Sequence, residues 1–537
     1  MEANKLRRRT EGADTTAREI GRLSPANPSP LASQAEPAAD DKARLDAAVT
    51  ALERRYPALS ARVGLTTPQR LTLTTALLLA SSCALFFPGV AITALQAILA
   101  AAFACLLLVR LIAIAEVLAP AKPPTGEPLR TANADLPVYT VLAALYHEAD
   151  VVPQLIEALI ALDYPEARLD IILALEADDA ATLSALVTAR LPGHMRIVVT
   201  PGGSPRTKPR ALCYALTFAR GDYVVVFDAE DQPEPGQLRD AHRAFAMGGP
   251  RLGCVQARLN VYNRHESWLT KQFALEYTAL FDAILPSYTR LGVPVPLGGT
   301  SNHFPHAVLD HVGAWDPYNV TEDADIGVRL ARFGYAVAIL QSTTWEEAPP
   351  RARDWFAQRT RWQKGWLQTY LIHMRNPYTL WCDLGPKSWI WFQIVVGGGL
   401  LSALVHPWLY AWAVWHTLEG GMALPQPGTV AALVWRLAIA NMIAACLAAI
   451  VLAIITLRAR GFKGLLLPAL ATPLYWLPIS LAAYRALWEW VAKPHYWAKT
   501  PHRPRPGPSH SAPAATPVPA NSAAARIGAG EGNRTLV

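Results

Sequence analysis

Charge is scarce in this 537-residue chain. Asp, Glu, Lys and Arg make up only 17% of it against 52% hydrophobic residues, more apolar than a soluble protein needs. The shortage is concentrated in particular stretches, so the composition reads as a membrane protein carrying a soluble domain. Cysteine is also sparse: Cys83, Cys105, Cys213, Cys254, Cys382 and Cys446 have no paired spacing, which argues against a disulfide framework or a zinc site. The first apolar stretch comes only at Leu71, so no cleavable signal peptide is expected. No Gly-rich dinucleotide or P-loop fingerprint follows the first expected strand, which removes the obvious nucleotide-binding competitors. The net charge of +7 lies largely in flanks and tails beside apolar segments. Membrane lipids, and no nucleic acid, are therefore the expected partners of that charge.

Residues 1–69, rich in Ala, Pro, Arg and Glu, read as a disordered cytoplasmic tail with one short helix around 43–55. Residues 70–118 are almost wholly apolar, interrupted at Phe87-Pro88-Gly89. A span needs about 20 residues, so this stretch predicts a transmembrane hairpin. Arg70 and Lys122 put both of its flanks in the cytoplasm. Within 119–387, strands expected at 138–145, 170–175, 195–200 and 223–227 alternate with helices at 152–162, 180–191 and 208–220. That alternation predicts an α/β domain with a mainly parallel sheet and helices on both faces. Residues 388–492 are apolar again, and 389–418 and 430–457 are long enough to span. The stretch 464–490 is broken by Pro468, Pro473 and Pro478 and has Lys463 and Lys493 on its two sides. It reads as re-entrant or interfacial, with a fifth span as the rival. Residues 493–537 read as a cytoplasmic tail, Pro/Ala/Ser-rich from Thr500.

The chemistry centres on Tyr223–Pro235, YVVVFDAEDQPEP. A β-branched and aromatic run stops at Asp228, Glu230 and Asp231, which places acids at the carboxyl end of a buried strand, where open α/β sheets bind ligands. Asp228 and Glu230 flank a small residue and can turn toward one divalent cation carrying a substrate diphosphate. The first strand ends at Tyr146-His147-Glu148 and the second at Glu176-Ala177-Asp178-Asp179. These acids can accept from a nucleobase imide or ribose hydroxyls; equally, Glu148 and Asp179 can cap the helices that follow. Lys208 opens the helix before the key strand, a position suited to a diphosphate. Gln358, Arg361 and Trp362 stand at i, i+3 and i+4, hence on one helical face. The same helix carries Trp355, Trp366 and Tyr370, a stripe that suits a membrane interface.

The succession Glu148, Asp178/Asp179, Lys208, Asp228-Ala-Glu230, Thr321-Glu322-Asp323 and Gln358-Arg-Thr-Arg361-Trp362 resembles membrane-bound family 2 glycosyltransferases of the cellulose-synthase and hyaluronan-synthase type. The resemblance covers about residues 135–380 and implies a GT-A-like fold plus α-helical transmembrane segments. It implies that Glu148, Asp178, Asp179 and Lys208 bind the donor nucleotide. Asp228 and Glu230 would hold Mg2+ or Mn2+, with Glu230 longer by a methylene than the family's second Asp and Asp231 in reach to assist. Asp323 would be the general base, and Gln358, Arg361 and Trp362 would meet diphosphate and acceptor. Leu297–Phe304 lies where related synthases line the acceptor end, so Ser301 and Asn302 are candidates for sugar hydroxyls. Trp497-Ala-Lys-Thr-Pro-His502 is similar to a gating-loop element, through which Thr500 and His502 would approach the nucleotide. His303, His306 and His311 have no metal spacing.

These readings predict an inverting glycosyltransferase of a bacterial-type inner membrane, multi-pass, with its catalytic domain in the cytoplasm. It would move a hexose from a UDP-sugar to a growing polysaccharide. A membrane-lipid acceptor is the alternative. A non-catalytic glycan- or nucleotide-sensing membrane protein on the same fold is a third reading.

Overall fold

The computed structural model describes residues 39–119, 132–418 and 428–504. The expected tail segments at 1–38 and 505–537, and Lys122, lie outside the described residues. Two compact units divide the chain, 1–43 and 44–537, and the first contributes only residues 39–43. These open helix α1 (Ala39–Arg55).

Residues 44–69 are folded, not a disordered tail. Leu45, Val49 and Leu52, at i, i+4 and i+7, are buried. The strap after them is pinned to the domain. Tyr56 Oη donates to His311 O at 2.9 Å, and Arg375 donates to the carbonyls of Ala58 and Ser60 at 3.0 and 2.9 Å. Buried Asp316 accepts from Ala61 N. Composition averaged over 69 residues conceals so short an apolar stripe.

Thr66 and Gln69 form a capping box that starts helix α2 (Thr67–Phe86), and Pro88 opens α3 (Pro88–Leu118). Both are long and apolar enough to cross a membrane, as are the stretches Pro377–Trp412 and Val430–Ala459. Their apolar side chains are largely exposed, as a lipid-facing surface requires.

The soluble domain is built on one eight-stranded sheet: β1 (Tyr139–Leu145), β2 (Leu169–Glu176), β3 (Met195–Thr200), β4 (Tyr223–Phe227), β5 (Gln232–Pro233), β6 (Leu252–Val261), β7 (Asn302–Pro305) and β8 (Ala336–Glu346). The order is β3-β2-β1-β4-β7-β6-β8-β5. Pairs β1–β2, β1–β4, β2–β3 and β6–β8 are parallel; β4–β7, β6–β7 and β5–β8 are antiparallel. The sheet is thus mixed, its parallel half matching the expected strands. Strand β7 is four residues containing a histidine and a proline, with no apolar run to announce it. In β4, Val224 and Val226 enter one core layer, Val225 and Phe227 the other. Burial on both faces is why its run is uninterrupted.

Helices α4 (Val152–Ile160), α5 (Ala180–Thr188) and α6 (Lys208–Leu216) alternate with the first four strands. Helices α7 (Gln237–Gly248) and α8 (Trp268–Ala279) flank β6, and α9 (Glu322–Arg332) and α10 (Ala352–His373) flank β8. After α10 come α11 (Pro377–Phe392), bent at Gly385, then α12 (Gly398–Leu418), α13 (Val430–Ala459) and α14 (Thr472–Ala492). Helix α14 lies along α10. Trp355 Nε1 donates to Tyr475 Oη at 2.9 Å near one end, and Lys364 Nζ donates to Glu489 Oε2 at 3.3 Å near the other.

Candidate active site

A cavity of about 920 Å³ opens at the carboxyl ends of β1, β4 and β8, and is closed by the first turn of α9, one face of α10 and residues 493–502. Glu148, Lys208, Asp228, Glu230, Asp323, Gln358, Arg361 and Trp362 all line it. The parallel register of β1 and β4, Ala143 opposite Phe227, brings Glu148 and Asp228 to one edge from residues 80 apart in sequence.

Lys208 Nζ pairs with Asp228 and also donates to Gly299 O at 2.7 Å. Burial disfavours its charge, but Asp228 and Glu322 reverse that and hold its pKa above the ordinary lysine range. Beside this pair, Glu230 is 5% exposed. Burial pushes its carboxyl up to about 7, with His502 pulling the other way. His502 bridges two acids, with Nε2 3.1 Å from Glu230 Oε1 and Nδ1 2.9 Å from Glu148 Oε1. Lys499 Nζ donates to the same Glu148 oxygen at 2.7 Å. Burial lowers the His502 pKa, yet Glu230 and Glu148 outweigh it and hold it at about 9. The second oxygens of Glu148 and Glu230 are buried without a hydrogen-bond partner.

The first turn of α9 presents Glu322 and Asp323 side by side. Burial raises both carboxyls, and the neighbouring Asp323 helps push Glu322 to about 8, while Lys208 and Arg361 oppose the rise in each. Asp325 is occupied elsewhere, buried between Arg329 at 2.8 Å and His373 at 3.1 Å. Helix α10 approaches this turn so closely that a Cβ on Gly365 would collide with Thr321. On its cavity face, Arg361 lies over the Trp497 ring at 4.3 Å. Trp362 stacks on Tyr277, centroids 6.5 Å apart and planes inclined 16°. Arg359 supports Trp362 at 4.3 Å and pairs with Glu276 at 2.7 Å.

Six other acids and polar residues singled out in the sequence lie outside the cavity lining. Asp179 caps α5, accepting from Thr182 N at 3.1 Å and from His147 N at 2.5 Å, so its capping reading is the structural one. Asp178 pairs with Arg206 at 2.6 Å. Ser301 is fully buried and donates to Thr344 Oγ1 at 2.7 Å, and Asn302 pairs within β7 and donates to Gly298 O at 2.7 Å. Asp231 is buried in the turn, accepting from Asp228 N at 2.7 Å and from Thr300 Oγ1. It braces Asp228 through Oδ2, and its Oδ1 is buried without a hydrogen-bond partner. His303 is buried in the sheet between Tyr139 at 2.7 Å and Gln237 at 3.2 Å.

The cavity also holds Glu322, Tyr277, Arg206, Glu346 and Glu347, none of which the motif reading had assigned a role. The last two end β8 just as Asp228 ends β4, and acids at a strand's carboxyl end are the signal that marks them. Among the described residues no group of three or more His, Cys, Asp or Glu is placed to hold a metal by itself. An ion that arrives on a diphosphate needs fewer protein oxygens. Asp228, with the unpartnered Oε2 of Glu230, is a donor set of that kind.

Comparison with known proteins supplies an independent view. Residues 137–365 match the family model described as glycosyltransferase like family 2. Relatives include the probable glycosyltransferase YdaM of Bacillus subtilis, 24% identical over 43% of this chain and 56% of its own. The β-monoglucosyldiacylglycerol synthase of Synechocystis is 28% identical over 50% and 56%. The poly-β-1,6-N-acetyl-D-glucosamine synthase of Staphylococcus aureus is 26% identical over 42% and 54%. The chain thus spans little more than half the length of these relatives. A solved structure, mannosyltransferase PcManGT from Pyrobaculum calidifontis in complex with GDP-Man and Mn2+, aligns with 66% of this chain and 97% of its own at 21% identity, TM-score 0.43. The matched segment begins just before β1 and ends within α10, so it encloses the sheet, the acids at its strand ends and the Gln358–Trp362 face, and over that segment the chain is similar to the family 2 glycosyltransferases.

Proposed function

We propose that the protein is an inverting, multi-pass membrane glycosyltransferase that moves a hexose from a UDP-sugar to a growing polysaccharide on the cytoplasmic side. One observation carries the reading. Asp228 and Glu230, Lys208, Asp323, and Arg361 with Trp362 come from four separate elements and line a single cavity.

The residues divide the work by position. Asp228 and Glu230 would hold a divalent ion, Mg2+ or Mn2+, whose chemistry there is to neutralise diphosphate charge. Lys208 would turn from Asp228 to the phosphate oxygens, and Arg361 would offer the departing diphosphate a planar fork. Glu148 faces the nucleoside side of the cavity. The shared burial of Glu322 and Asp323 leaves a proton on Glu322 near neutrality, freeing Asp323 to accept the proton of the attacking hydroxyl. Trp362, backed by Tyr277 and Arg359, presents an apolar ring to the acceptor sugar. A single displacement at the anomeric carbon converts an α-linked donor into a β-linkage.

A membrane-lipid acceptor is the second reading. It is favoured by the activity for which the Synechocystis relative is named, and by the small number of membrane-length helices, four among the described residues.

The test offers purified protein UDP-glucose, UDP-N-acetylglucosamine, UDP-galactose and GDP-mannose with Mg2+ or Mn2+, and follows nucleoside diphosphate release. Release with one donor is expected, falling by about 10²–10⁴ in Asp323→Asn. Long insoluble product supports the polymer reading and a labelled lipid the second. No release from any donor, with native lipid extract present, would sink both.

A further inference from the structure

Glu346 is the one cavity acid with neither a charged partner nor a role. It ends β8, is 8% exposed, and its Oε1 has no hydrogen-bond partner. Its neighbour Glu347 is held by Arg503, which donates to it through both backbone and guanidinium at 2.7–2.9 Å. Buried polar atoms in native proteins are almost always satisfied, and one left open in a ligand cavity marks a contact that the ligand completes.

Its position says which part of the ligand. Thr344 and Trp345 pair with β5, the segment directly after the Asp228–Asp231 turn, so Glu346 stands beside the acids on the diphosphate side. On its other side its carboxyl interacts with the Tyr277 hydroxyl, and the Tyr277 ring stacks on Trp362 at the acceptor end. A transferred hexose must lie between its diphosphate and its acceptor. Resting on the glycosyltransferase reading above, we propose that Glu346 is a sugar-recognition residue whose carboxyl, oriented by Tyr277, hydrogen-bonds a hydroxyl of the hexose being transferred.

The electrostatics suit an uncharged ligand group. Burial first, then Asp231, Glu230 and Asp228, push this carboxyl well above the ordinary range. A phosphate would meet these acids with like charge at this position; a hydroxyl would not.

The test measures binding of UDP-glucose, UDP-N-acetylglucosamine, UDP-galactose and GDP-mannose, and of UDP and GDP, each with Mn2+, to the full-length protein. Glu346→Ala should weaken the preferred sugar nucleotide about tenfold or more while its nucleoside diphosphate binds unchanged. Glu346→Met fills the same space without hydrogen bonding and should give the same split, which covers the case in which the alanine variant fails to fold. Equal weakening of sugar nucleotide and nucleoside diphosphate, or no weakening of either, overturns the inference and leaves the glycosyltransferase reading standing. Failure of the unaltered protein to bind any of these nucleotides overturns that reading, and this inference with it.

Discussion

At the residue scale, the proposed base Asp323 and its neighbour Glu322 should set the pH behaviour. A base must be ionised to accept a proton, and burial raises the Asp323 pKa, so the acid limb of the rate profile should stand above the ordinary aspartate value. Burial and the neighbouring Asp323 push Glu322 up to about 8, so it is expected to be neutral while Asp323 ionises. Glu322→Gln should therefore leave that limb in place and alter the profile only at alkaline pH. The kcat/KM profiles of the two proteins decide it. A limb that moves down in Glu322→Gln would mean Glu322 is charged when Asp323 titrates. Residue type and order singled out Asp228, Glu230, Asp323, Arg361 and Trp362 in advance as candidates, and all five line the cavity. Asp179 and Ser301 were not distinguishable from ligands in that way. Whether an aspartate accepts from a helix amide or from a nucleotide is settled by what folds next to it, and Thr182 and Thr344 lie 3 and 43 residues away.

At the scale of elements, the seam between α10 and α14 controls the aromatic platform. Arg359 is buried, pairs with Glu276, and lies against Trp362, Phe273, Trp355 and Tyr475. Tyr475 Oη in turn donates to Glu276 Oε2 at 3.3 Å. Glu276→Gln removes the counter-charge and leaves a buried cation, a change that costs about 3–5 kcal/mol when a buried pair is broken. Partial exposure of Glu276, 34%, puts the expectation at or below the lower end of that range. Thermal unfolding should shift downward and acceptor KM should rise more than donor KM. Equal rises in the two KM values would show that the seam does not act through Trp362. The parallel half of the sheet was readable because its strands are buried on both faces and so written as apolar runs. The antiparallel β7 and the strap after α1 were not, since short segments take their burial from partners distant in sequence.

At the scale of the whole molecule, the ends of each apolar helix can be assigned a side from their contacts with the domain. Gln69 near the start of α2 donates to Leu371 O at 2.7 Å, and Glu116 near the end of α3 pairs with Arg290 at 2.5 Å, so the turn at Phe87 is the far point of a hairpin. Arg460, just past α13, donates to Asp282 Oδ1 at 2.6 Å and to Thr343 Oγ1 at 3.1 Å. Lys493, just past α14, lines the cavity. Both ends of the segment between these two residues therefore meet the domain face, and Pro468 and Tyr475 within it hydrogen-bond the domain as well. That argues against a single crossing by the 21-residue α14, despite a length that would suffice. Its contacts with α10 at both ends agree with a helix lying along the membrane surface. In a cysteine-free background, Lys463→Cys and Lys493→Cys should react with an impermeant maleimide from the same side of sealed vesicles, and Gly89→Cys from the opposite side. Labelling of positions 463 and 493 from opposite sides would make α14 a fifth span and reverse the argument from Arg460 and Lys493.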